Sequence, residues 1–319
     1  MKLVGESSMG LDKLLDPILI TGGCGFLGQY LAKDLIQKGY NIVLFDISED
    51  HHLLEDQSNG EHSFFKGDVS NLPDLLEAIQ AFGIKSIIHA AAVIPPHSDL
   101  RPYNGFKVNL LGTCYVLEAV RLLHLKRITF VSSGAVYGST DRFCQEDCSI
   151  PLISGHGLYG AEKAACELMG LKYSDLFKFE FVVARNGAIY GAGGTAEHYL
   201  NIFVRNAIRA QPVQLKHGGD HCFEFVHVID AVAGIRHIHT AGELRHRVYN
   251  VGTGKNHSLA QLAAMIKMNL PEANFQIGPG LVPKLSQRGP FNISRLRQLG
   301  YRPQFDLEAG LKHYIDSFR

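Results

Sequence analysis

The stretch of sequence that decides the fold runs from Pro17 to Gly28 and reads Pro-Ile-Leu-Ile-Thr-Gly-Gly-Cys-Gly-Phe-Leu-Gly. A short apolar strand meets a glycine-rich turn, and the pattern that follows predicts an amphipathic helix from Phe26 to Lys38. Glycines allow a tight turn and a close approach of the backbone to a pyrophosphate, and the helix start offers unpaired N–H groups. The sequence therefore predicts a dinucleotide site in this turn. Its predicted residues are Gly22, Gly25, Phe26, Leu27 and Gly28.

Two acidic residues follow later strands and extend this predicted site. Asp46 ends the second apolar run, where an acid accepts hydrogen bonds from ribose hydroxyls and repels a 2′-phosphate, so NAD is favoured over NADP. The alternative is that Asp46 caps a turn before Ser48. Asp68 follows the third strand in Gly67-Asp68-Val69. It contacts the adenine amino group or caps a helix that begins near Leu72, and the sequence does not separate these two roles.

Apolar runs and helical patterns alternate through the first 190 residues. The predicted strands lack polar alternation, which indicates burial on both faces and hence a parallel sheet covered by helices. We predict an α/β fold with a Rossmann-type doubly wound parallel sheet and a smaller C-terminal substrate-binding lobe. Residues 1–16 are predicted to be an N-terminal extension. Residues 17–190 form the NAD-binding domain, with strands and helices returning from the C-terminal half, and residues 191–319 form mainly the lobe. The predicted strands are 17–21, 41–46, 86–91, 127–132 and 179–185, and the main helices are 26–38, 71–82, 106–123 and 159–176.

The composition excludes several classes of function. The formal net charge of the 319 residues is zero, which argues against a nucleic-acid partner. No apolar run reaches the roughly 18 residues of a membrane span, and residues 1–16 lack a signal-peptide pattern. Six scattered cysteines without an export signal favour reduced thiols and a cytoplasmic location. Cys144, Cys148 and His156 match no common zinc spacing, so no metal site is predicted.

The segment Tyr159-Gly-Ala-Glu-Lys163 places a phenol and an amine on one face of a predicted helix. A positive charge at about 4 Å is expected to lower the phenol pKa by about three, which would make tyrosine an acid and base near neutral pH. Ser133 follows a strand and can orient a substrate oxygen. Asn109 lies on the preceding long helix, where its carboxamide can hold a water relay. The spacing of Tyr159 and Lys163 also fits a surface tyrosine with a solvated lysine, but the ordered set of signals favours catalysis.

Together these motifs resemble the extended short-chain dehydrogenases/reductases of the NAD-dependent epimerase/dehydratase family. The resemblance covers residue 17 to the end and implies a Rossmann sheet with catalytic Ser133, Tyr159 and Lys163. It also implies homodimers through a four-helix bundle built from the helices of Asn109 and Tyr159. The implied cofactor contacts, beyond the glycine turn, are Asp46, Asp68, Val69, Ala90, Ala91, Ala92, Asn109, Tyr159, Lys163 and Asn186. The segments that carry the resemblance are Thr21–Gly28, Asp46, Gly67–Val69, His89–Ala92, Val108-Asn109, Ser132-Ser133, Tyr137-Gly138, Tyr159-Gly160 with Lys163, Ile189–Gly191, Phe225–Val228, Tyr249–Gly252 and Leu299–Tyr301.

Departures from the family pattern concern the substrate. Members of the family that act on nucleotide sugars share two polar residues. One is an asparagine after the sixth strand that holds the substrate diphosphate, and the other is an arginine two residues before the Phe-Val-His-Val run. This chain has Ala188 and Phe223 at those positions. Arg288 is either an anion anchor or a solvated arginine. Dehydratases of the group carry an acid just after the catalytic hydroxyl residue, whereas Gly134 and Ala135 follow Ser133 here, so dehydration is disfavoured. The predicted substrate contacts are Ser133, Tyr159, Ala188 and Arg288.

Three functions remain open on the sequence alone. The leading prediction is an NAD-dependent oxidoreductase that acts on a secondary alcohol or ketone of a sugar-like or polyol substrate. The second is a nucleotide-sugar 4-epimerase of the UDP-sugar type, in which NADH forms only transiently. The third, from another class, is a non-catalytic NAD-binding sensor or scaffold, which the presence of both Tyr159 and Lys163 disfavours.

Overall fold

A computed structural model describes residues 14–50, 54, 62–151 and 157–319 of the protein. The strands are β1 (Ile18–Thr21), β2 (Ile42–Asp46), β3 (His62–Lys66), β4 (Ser86–His89), β5 (Arg127–Ser133), β6 (Glu180–Asn186), β7 (Ala188–Tyr190), β8 (Val213–Leu215), β9 (Cys222–Phe223), β10 (Phe225–His227), β11 (Val248–Val251), β12 (His257–Ser258) and β13 (Phe275–Ile277). The helices are α1 (Phe26–Gln37), α2 (Leu72–Ala81), α3 (His97–Leu100), α4 (Pro102–Gly105), α5 (Gly112–Leu122), α6 (Leu158–Phe177), α7 (Tyr199–Ile208), α8 (Val228–Thr240), α9 (Leu259–Asn269), α10 (Ser294–Gln298) and α11 (Leu307–Asp316). A π-helical segment (Phe106–Leu111) precedes α5, and a 3₁₀ turn (Gly134–Tyr137) follows β5.

The described strands of the main sheet run in the order β11-β6-β5-β4-β1-β2-β3. Every pairing in this sheet is parallel; Ile18, for example, lies opposite Ile42 on one side and Ser86 on the other. Chain order reverses between β1 and β4, and this reversal opens a crevice at the carboxyl ends of the strands. The predicted Rossmann-type sheet is confirmed.

Helices cover both faces of the sheet, which explains why the strands are apolar throughout. In β1, Ile18 and Ile20 face a core shared with α1 and α8, whereas Leu19 faces a second core shared with α2 and α5. All three side chains are fully buried. Successive side chains of a strand point to opposite faces of the sheet. Because each face packs against a core here, these three successive residues are all apolar and the sequence shows an unbroken apolar run. The prediction of burial on both faces is therefore confirmed.

The second half of the chain contributes to both the sheet and a smaller third core. β11 pairs with β6 in the main sheet, and α8 packs beside α1, where Arg236 and Asp34 form an ion pair at 2.7 Å. The third core joins α7, α9 and α11 through buried leucines and Phe203. Three short strand pairs, β10 with β7, β12 with β9 and β13 with β8, connect this core to the crevice.

Two predicted elements differ from the structure. The long helix expected from Phe106 to Leu123 begins instead as a π-helical segment, in which side chains from Thr113 and Cys166 donate to the Asn109 carbonyl oxygen at 2.6 and 3.2 Å. The strand expected to reach Ala91 ends at His89, so that Ala90 leaves the sheet. Beyond the strand the Ala91 backbone passes close to Gly22 (φ +67°), where a Cβ would lie 2.7 Å from it, so this approach requires glycine.

Residues 1–13 of the predicted N-terminal extension lie outside the described residues. Within the described remainder, Leu15 is buried and its carbonyl oxygen accepts a hydrogen bond from Ser86 Oγ at 2.6 Å. Among the described helices, none combines the length and apolar character that crossing a bilayer requires.

Candidate functional site

A cavity of about 1030 Å³ lies in the crevice between β1 and β4 and extends under the C-terminal lobe. It brings together all but one of the residues that the sequence predicted for cofactor, catalysis and substrate. The predicted residues that line it are Gly22, Gly25, Phe26, Leu27, Gly28, Asp46, Asp68, Val69, Ala90, Ala91, Ala92, Ser133, Tyr159, Lys163, Asn186, Ala188 and Arg288. Asn109 is the predicted residue that does not line it.

The glycine turn presents backbone to this cavity. Gly25 is the N-cap of α1, is exposed, and makes no side-chain cap, so the first N–H groups of the helix are open to an anion. Gly28 permits the close packing of the helix on the turn, because a Cβ there would lie 2.1 Å from the Gly22 carbonyl oxygen. These features fit the pyrophosphate of a dinucleotide.

The two acids beyond the glycine turn have different surroundings. Asp46 accepts hydrogen bonds from Cys24 N at 3.1 Å and from Ser48 N at 3.3 Å, so it lies beside the glycine turn and also caps its own turn. Asp68 accepts from the backbone and hydroxyl of Ser70 at 2.8 and 2.7 Å. The N-cap of α2 is Asn71, so Asp68 orders the turn before the helix rather than capping it.

Asn186 closes the cavity floor at the end of β6. Its side-chain amide donates to the carbonyl oxygens of Ala184 and Ser132 at 2.9 and 3.3 Å. Its Oδ1 is buried and has no hydrogen-bond partner among the described residues. An unpaired buried acceptor on a cavity wall fits a ligand that carries an N–H donor, such as the carboxamide of a nicotinamide.

Ser133 and Tyr159 both line the cavity, and the helix that carries Tyr159 packs closely on the turn that follows Ser133. Ser133 Oγ accepts a hydrogen bond from Ala135 N at 3.1 Å and so caps the 3₁₀ turn. Gly160, next to Tyr159, packs on this turn, since a Cβ there would lie 2.8 Å from the Ala135 carbonyl oxygen. Both predicted catalytic side chains therefore face the same end of the cavity.

Lys163 lies one helical turn after Tyr159 and is buried. Its Nζ donates to the Val131 carbonyl oxygen at 2.8 Å and lies 4.6 Å from the centre of the Phe130 ring. The same Nζ lies 5.7 Å from the centre of the Tyr159 ring. The Lys163 ammonium therefore points to the Val131 carbonyl oxygen of β5, and the Tyr159 ring lies to one side of it.

The expected lowering of the phenol pKa is not found in this arrangement. Burial raises the pKa of the Tyr159 phenol above its ordinary value, and the Glu162 carboxylate and Cys166 thiol raise it further. Burial also lowers the pKa of Lys163 to about 8. The expectation from sequence counted the charge of Lys163 and, in addition, that of a nicotinamide cation, whereas the fold buries both protein groups and adds an adjacent carboxylate. Tyr159 is thus a protonated phenol at neutral pH.

Asn109 is occupied by contacts within the protein. Its Oδ1 accepts from Val93 N at 2.8 Å, and its Nδ2 donates to the Val93 carbonyl oxygen at 2.9 Å and to Glu162 Oε2 at 2.6 Å. Val93 itself lines the cavity. Asn109 therefore acts on the site through the Val93 backbone. Glu162, which contacts Asn109 and raises the pKa of Tyr159, was not predicted as a site residue, although it lies between Tyr159 and Lys163 in the sequence.

The wall contributed by the lobe contains Ala188, Phe223 and Arg288, with Glu224 as a further residue that sequence reasoning missed. The Glu224 carboxylate accepts hydrogen bonds from Thr253, Gly254 and Phe291 N–H groups at 2.6, 2.7 and 3.1 Å. Of the two roles that the sequence left open for Arg288, anion anchor or solvated arginine, the structure does not fit the solvated arginine. Its Nε is buried without a hydrogen-bond partner among the described residues, and burial lowers the pKa of its guanidinium.

Among the described residues, no group of three histidine, cysteine or acidic side chains is placed to hold a metal ion. Cys144 is buried and Cys148 is exposed, and His156, the third residue of that candidate set, lies outside the described residues.

Comparison with known proteins agrees with this site. Residues 18–252 match the model of the NAD dependent epimerase/dehydratase family. A putative UDP-glucose 4-epimerase of Methanocaldococcus jannaschii is 28% identical over 94% of this chain and 97% of its own length. An epimerase structure from Methanothermobacter thermautotrophicus has a TM-score of 0.83 at 25% identity and covers 97% of this chain and 94% of its own. A UDP-glucose 4-epimerase of Thermus thermophilus in complex with NAD shares the fold, with a TM-score of 0.80 at 24% identity over 95% of this chain and 98% of its own. The chain therefore belongs to the NAD-dependent epimerase/dehydratase family and is an NAD-dependent enzyme of the extended short-chain dehydrogenase/reductase type.

Proposed function

We propose that the protein transfers hydride between NAD and a secondary hydroxyl or ketone of a sugar-like or polyol substrate, with Tyr159 as general acid and base. The observation that carries the proposal is the shared cavity. Ser133, Tyr159 and Lys163 line the same space as the glycine turn and Asp46. Proton chemistry and dinucleotide binding are thus placed side by side.

The side chains divide the work as follows. The chemistry that NAD supplies when bound is hydride exchange with a carbon that bears the reacting oxygen. Ser133 Oγ orients that oxygen by a hydrogen bond. Because burial keeps the Tyr159 phenol protonated, Tyr159 gives its proton to the substrate oxygen in the direction of reduction and takes it back in the direction of oxidation. The Lys163 ammonium, attached to the Val131 carbonyl oxygen, favours the phenolate by its charge.

A second candidate is a nucleotide-sugar 4-epimerase. It is favoured by the relative described as a putative UDP-glucose 4-epimerase, which aligns along nearly its whole length. The glycine turn and Asp46, which would bind NAD, suit an epimerase as well as they suit an oxidoreductase. The same holds for the proton chemistry of Ser133, Tyr159 and Lys163. The two reactions differ in their overall balance, because a 4-epimerase returns the hydride to its substrate.

The experiment is an absorbance assay at 340 nm with NAD and a panel of free polyols, sugar acids and nucleotide sugars. Net formation of NADH from a panel member supports the oxidoreductase. A C4 epimer that accumulates without net NADH identifies the epimerase instead. If NAD binds and no panel member is converted in either way, the non-catalytic sensor of the third alternative is favoured.

Further proposals concern assembly and location. We propose homodimers through a four-helix bundle of α5 and α6, supported by exposed leucines on these helices, Leu122, Leu168 and Leu176. We also propose that residues 191–319 supply mainly the substrate lobe. A cytoplasmic location fits the six free cysteines of the described residues.

A further inference from the structure

The catalytic end of the cavity continues into a compartment formed by the C-terminal lobe. We call it the lobe compartment and define it by Ala188, Phe223, Glu224, Arg288 and Phe291, all of which line the cavity. It adjoins the catalytic turn, because the Phe291 ring packs against Gly134, where a Cβ would lie 2.4 Å from the ring. A substrate whose reacting oxygen meets Tyr159 and Ser133 therefore extends into this compartment.

Phe223 gives the lobe compartment an apolar wall that is fixed in place. Its ring centre lies 4.8 Å from the ring of His221, 5.6 Å from that of Phe225 and 5.7 Å from that of Tyr199. Aromatic rings at such separations support one another, so Phe223 has little freedom to move aside for a polar group. The apolar C–H face of a sugar or polyol chain fits this wall.

Arg288 is the cation of the lobe compartment. The backbone of Arg288 is fixed by two contacts. Asn256 Nδ2 donates to the Arg288 carbonyl oxygen at 2.5 Å, and Arg288 forms an isolated parallel β-bridge with Thr140. The guanidinium forms no ion pair among the described residues, and its buried Nε lacks a partner there. The side chain as a whole is half-buried, but a guanidinium that has no ion-pair partner and whose Nε is withdrawn from water is costly, and an anionic ligand group offsets that cost.

Glu224 limits the number of anionic groups that this compartment accepts. Its carboxylate is buried and already accepts the Thr253, Gly254 and Phe291 N–H groups, so it is held in place where Glu224 lines the cavity. The lysines that line the cavity lie elsewhere: Lys107 is 3.9 Å from Asp68 on the cofactor side, and Lys163 contacts Val131. Within the described lining, a wall that offers one free cation and also carries a carboxylate suits a ligand with one anionic group better than a ligand with two.

We infer that the lobe compartment binds a sugar or polyol that carries one anionic group, a carboxylate or a phosphate monoester, rather than a nucleoside diphosphate. This inference rests on the proposed function, because it assigns the substrate class of the same site. Arg288 holds the anionic group, and the apolar face of the chain packs on Phe223. The reacting hydroxyl is then presented to Ser133 and Tyr159.

The test is isothermal titration calorimetry on the full chain saturated with NAD. The probes are D-gluconate, D-glucose 6-phosphate, D-glucose and UDP. We expect D-gluconate or D-glucose 6-phosphate, each of which carries one anionic group, to bind about tenfold or more tightly than D-glucose and UDP. The first two probes distinguish a carboxylate from a phosphate monoester. UDP binding that equals or exceeds that of both anionic sugars overturns the inference, as does the failure of both to bind.

Two variants sharpen the test. Arg288→Met is expected to weaken the anionic probe about 10- to 100-fold while binding of NAD is retained. Its matched control is Arg209→Met at the exposed end of α7. Phe223→Arg adds a second cation and is expected to strengthen UDP binding about tenfold or more. Its control is Phe143→Arg, an exposed phenylalanine outside the cavity. An unchanged anionic probe in Arg288→Met contradicts the inference.

The same samples separate this inference from the proposed function. Absorbance at 340 nm is followed with each sugar probe and with UDP-glucose. An anionic sugar that binds through Arg288 without hydride transfer leaves the inference standing and counts against the oxidoreductase. Net NADH from UDP-glucose, with UDP bound more tightly than either anionic sugar, supports the oxidoreductase and overturns the inference.

Discussion

Lys163 donates a hydrogen bond from Nζ to the carbonyl oxygen of Val131 at 2.8 Å. The contact joins α6, which carries Tyr159, to β5, which ends at Ser133. The lysine therefore holds the two elements of the catalytic end together while its charge lies beside the phenol ring. Its burial has a cost for stability, from which the first prediction follows.

We predict that Lys163→Met is more stable than the wild type at pH 7. Burial lowers the pKa of Lys163 from 10.5 to about 8, so between these values the unfolded chain binds more protons than the folded one. The wild type is thus penalised below about pH 8 and gains stability as pH rises toward 10.5. The penalty is about 3 kcal/mol at neutral pH. Urea unfolding at pH 7 and pH 10 measures it, with the exposed Lys172→Met as control. A variant less stable than wild type at pH 7 would refute this view of the buried ammonium.

Asp46→Ala is predicted to weaken NAD more than NADP. The carboxylate lies beside the glycine turn, where it accepts from Cys24 N. We propose that it also accepts hydrogen bonds from the ribose hydroxyls of NAD. Loss of a hydrogen bond to a charged group costs about 1.5–3 kcal/mol, or about 10- to 100-fold in NAD affinity. Isothermal titration calorimetry with both dinucleotides measures the effect, with Glu49→Ala as the neighbouring control. Equal losses for NAD and NADP would argue against ribose recognition by Asp46.

Glu167→Ala is predicted to destabilise the fold by about 3–5 kcal/mol. Glu167 and Arg185 form a buried ion pair at 2.6 Å, and Ser132 Oγ also donates to the Glu167 carboxylate, at 2.5 Å. Removal of the acid leaves the buried Arg185 guanidinium on β6 without its carboxylate partner. The control is Glu118→Ala, which breaks a pair with Arg121 on the surface and is expected to cost less than about 1 kcal/mol. Similar losses in the two variants, measured by urea unfolding, would contradict the prediction.

Glu162→Gln is predicted to move the pH profile of oxidation toward lower pH. The Glu162 carboxylate raises the pKa of the Tyr159 phenol, so its neutral replacement lets the phenolate form at lower pH. Glutamine also keeps an acceptor for the Asn109 amide, which donates to Glu162 at 2.6 Å in the wild type. The measurement is the pH dependence of kcat for oxidation, with the exposed Glu180→Gln as control. A profile that stays in place, or that moves toward higher pH, would show that Glu162 does not set the charge balance at Tyr159.

The local part of the site was predictable from sequence. The turn from Gly22 to Gly28 and the acid at Asp46 follow from chemistry that neighbouring residues share, and both line the cavity as expected. Ala90 and Ala91 line the cavity as expected, although the strand that was predicted to reach Ala91 ends two residues earlier, at His89.

The long-range part was not predictable. Glu224 is linked to Gly254 and Phe291, and Asn109 to Val93 and Glu162, through contacts that no spacing in the chain reveals. The direction of the Tyr159 pKa was also missed, because burial depends on the packing of α6 against β5 and not on the distance to one lysine.

The most direct measurement is the rate of hydride transfer in Tyr159→Phe, followed by absorbance at 340 nm with the substrate that the panel identifies. We expect NAD affinity to be retained, since the glycine turn and Asp46 are untouched, and the transfer rate to fall about 10²- to 10⁴-fold. Ser133→Ala serves as a milder companion, because it removes orientation and leaves the proton donor. A Tyr159→Phe enzyme that transfers hydride at the wild-type rate would contradict the assignment of Tyr159 as general acid and base.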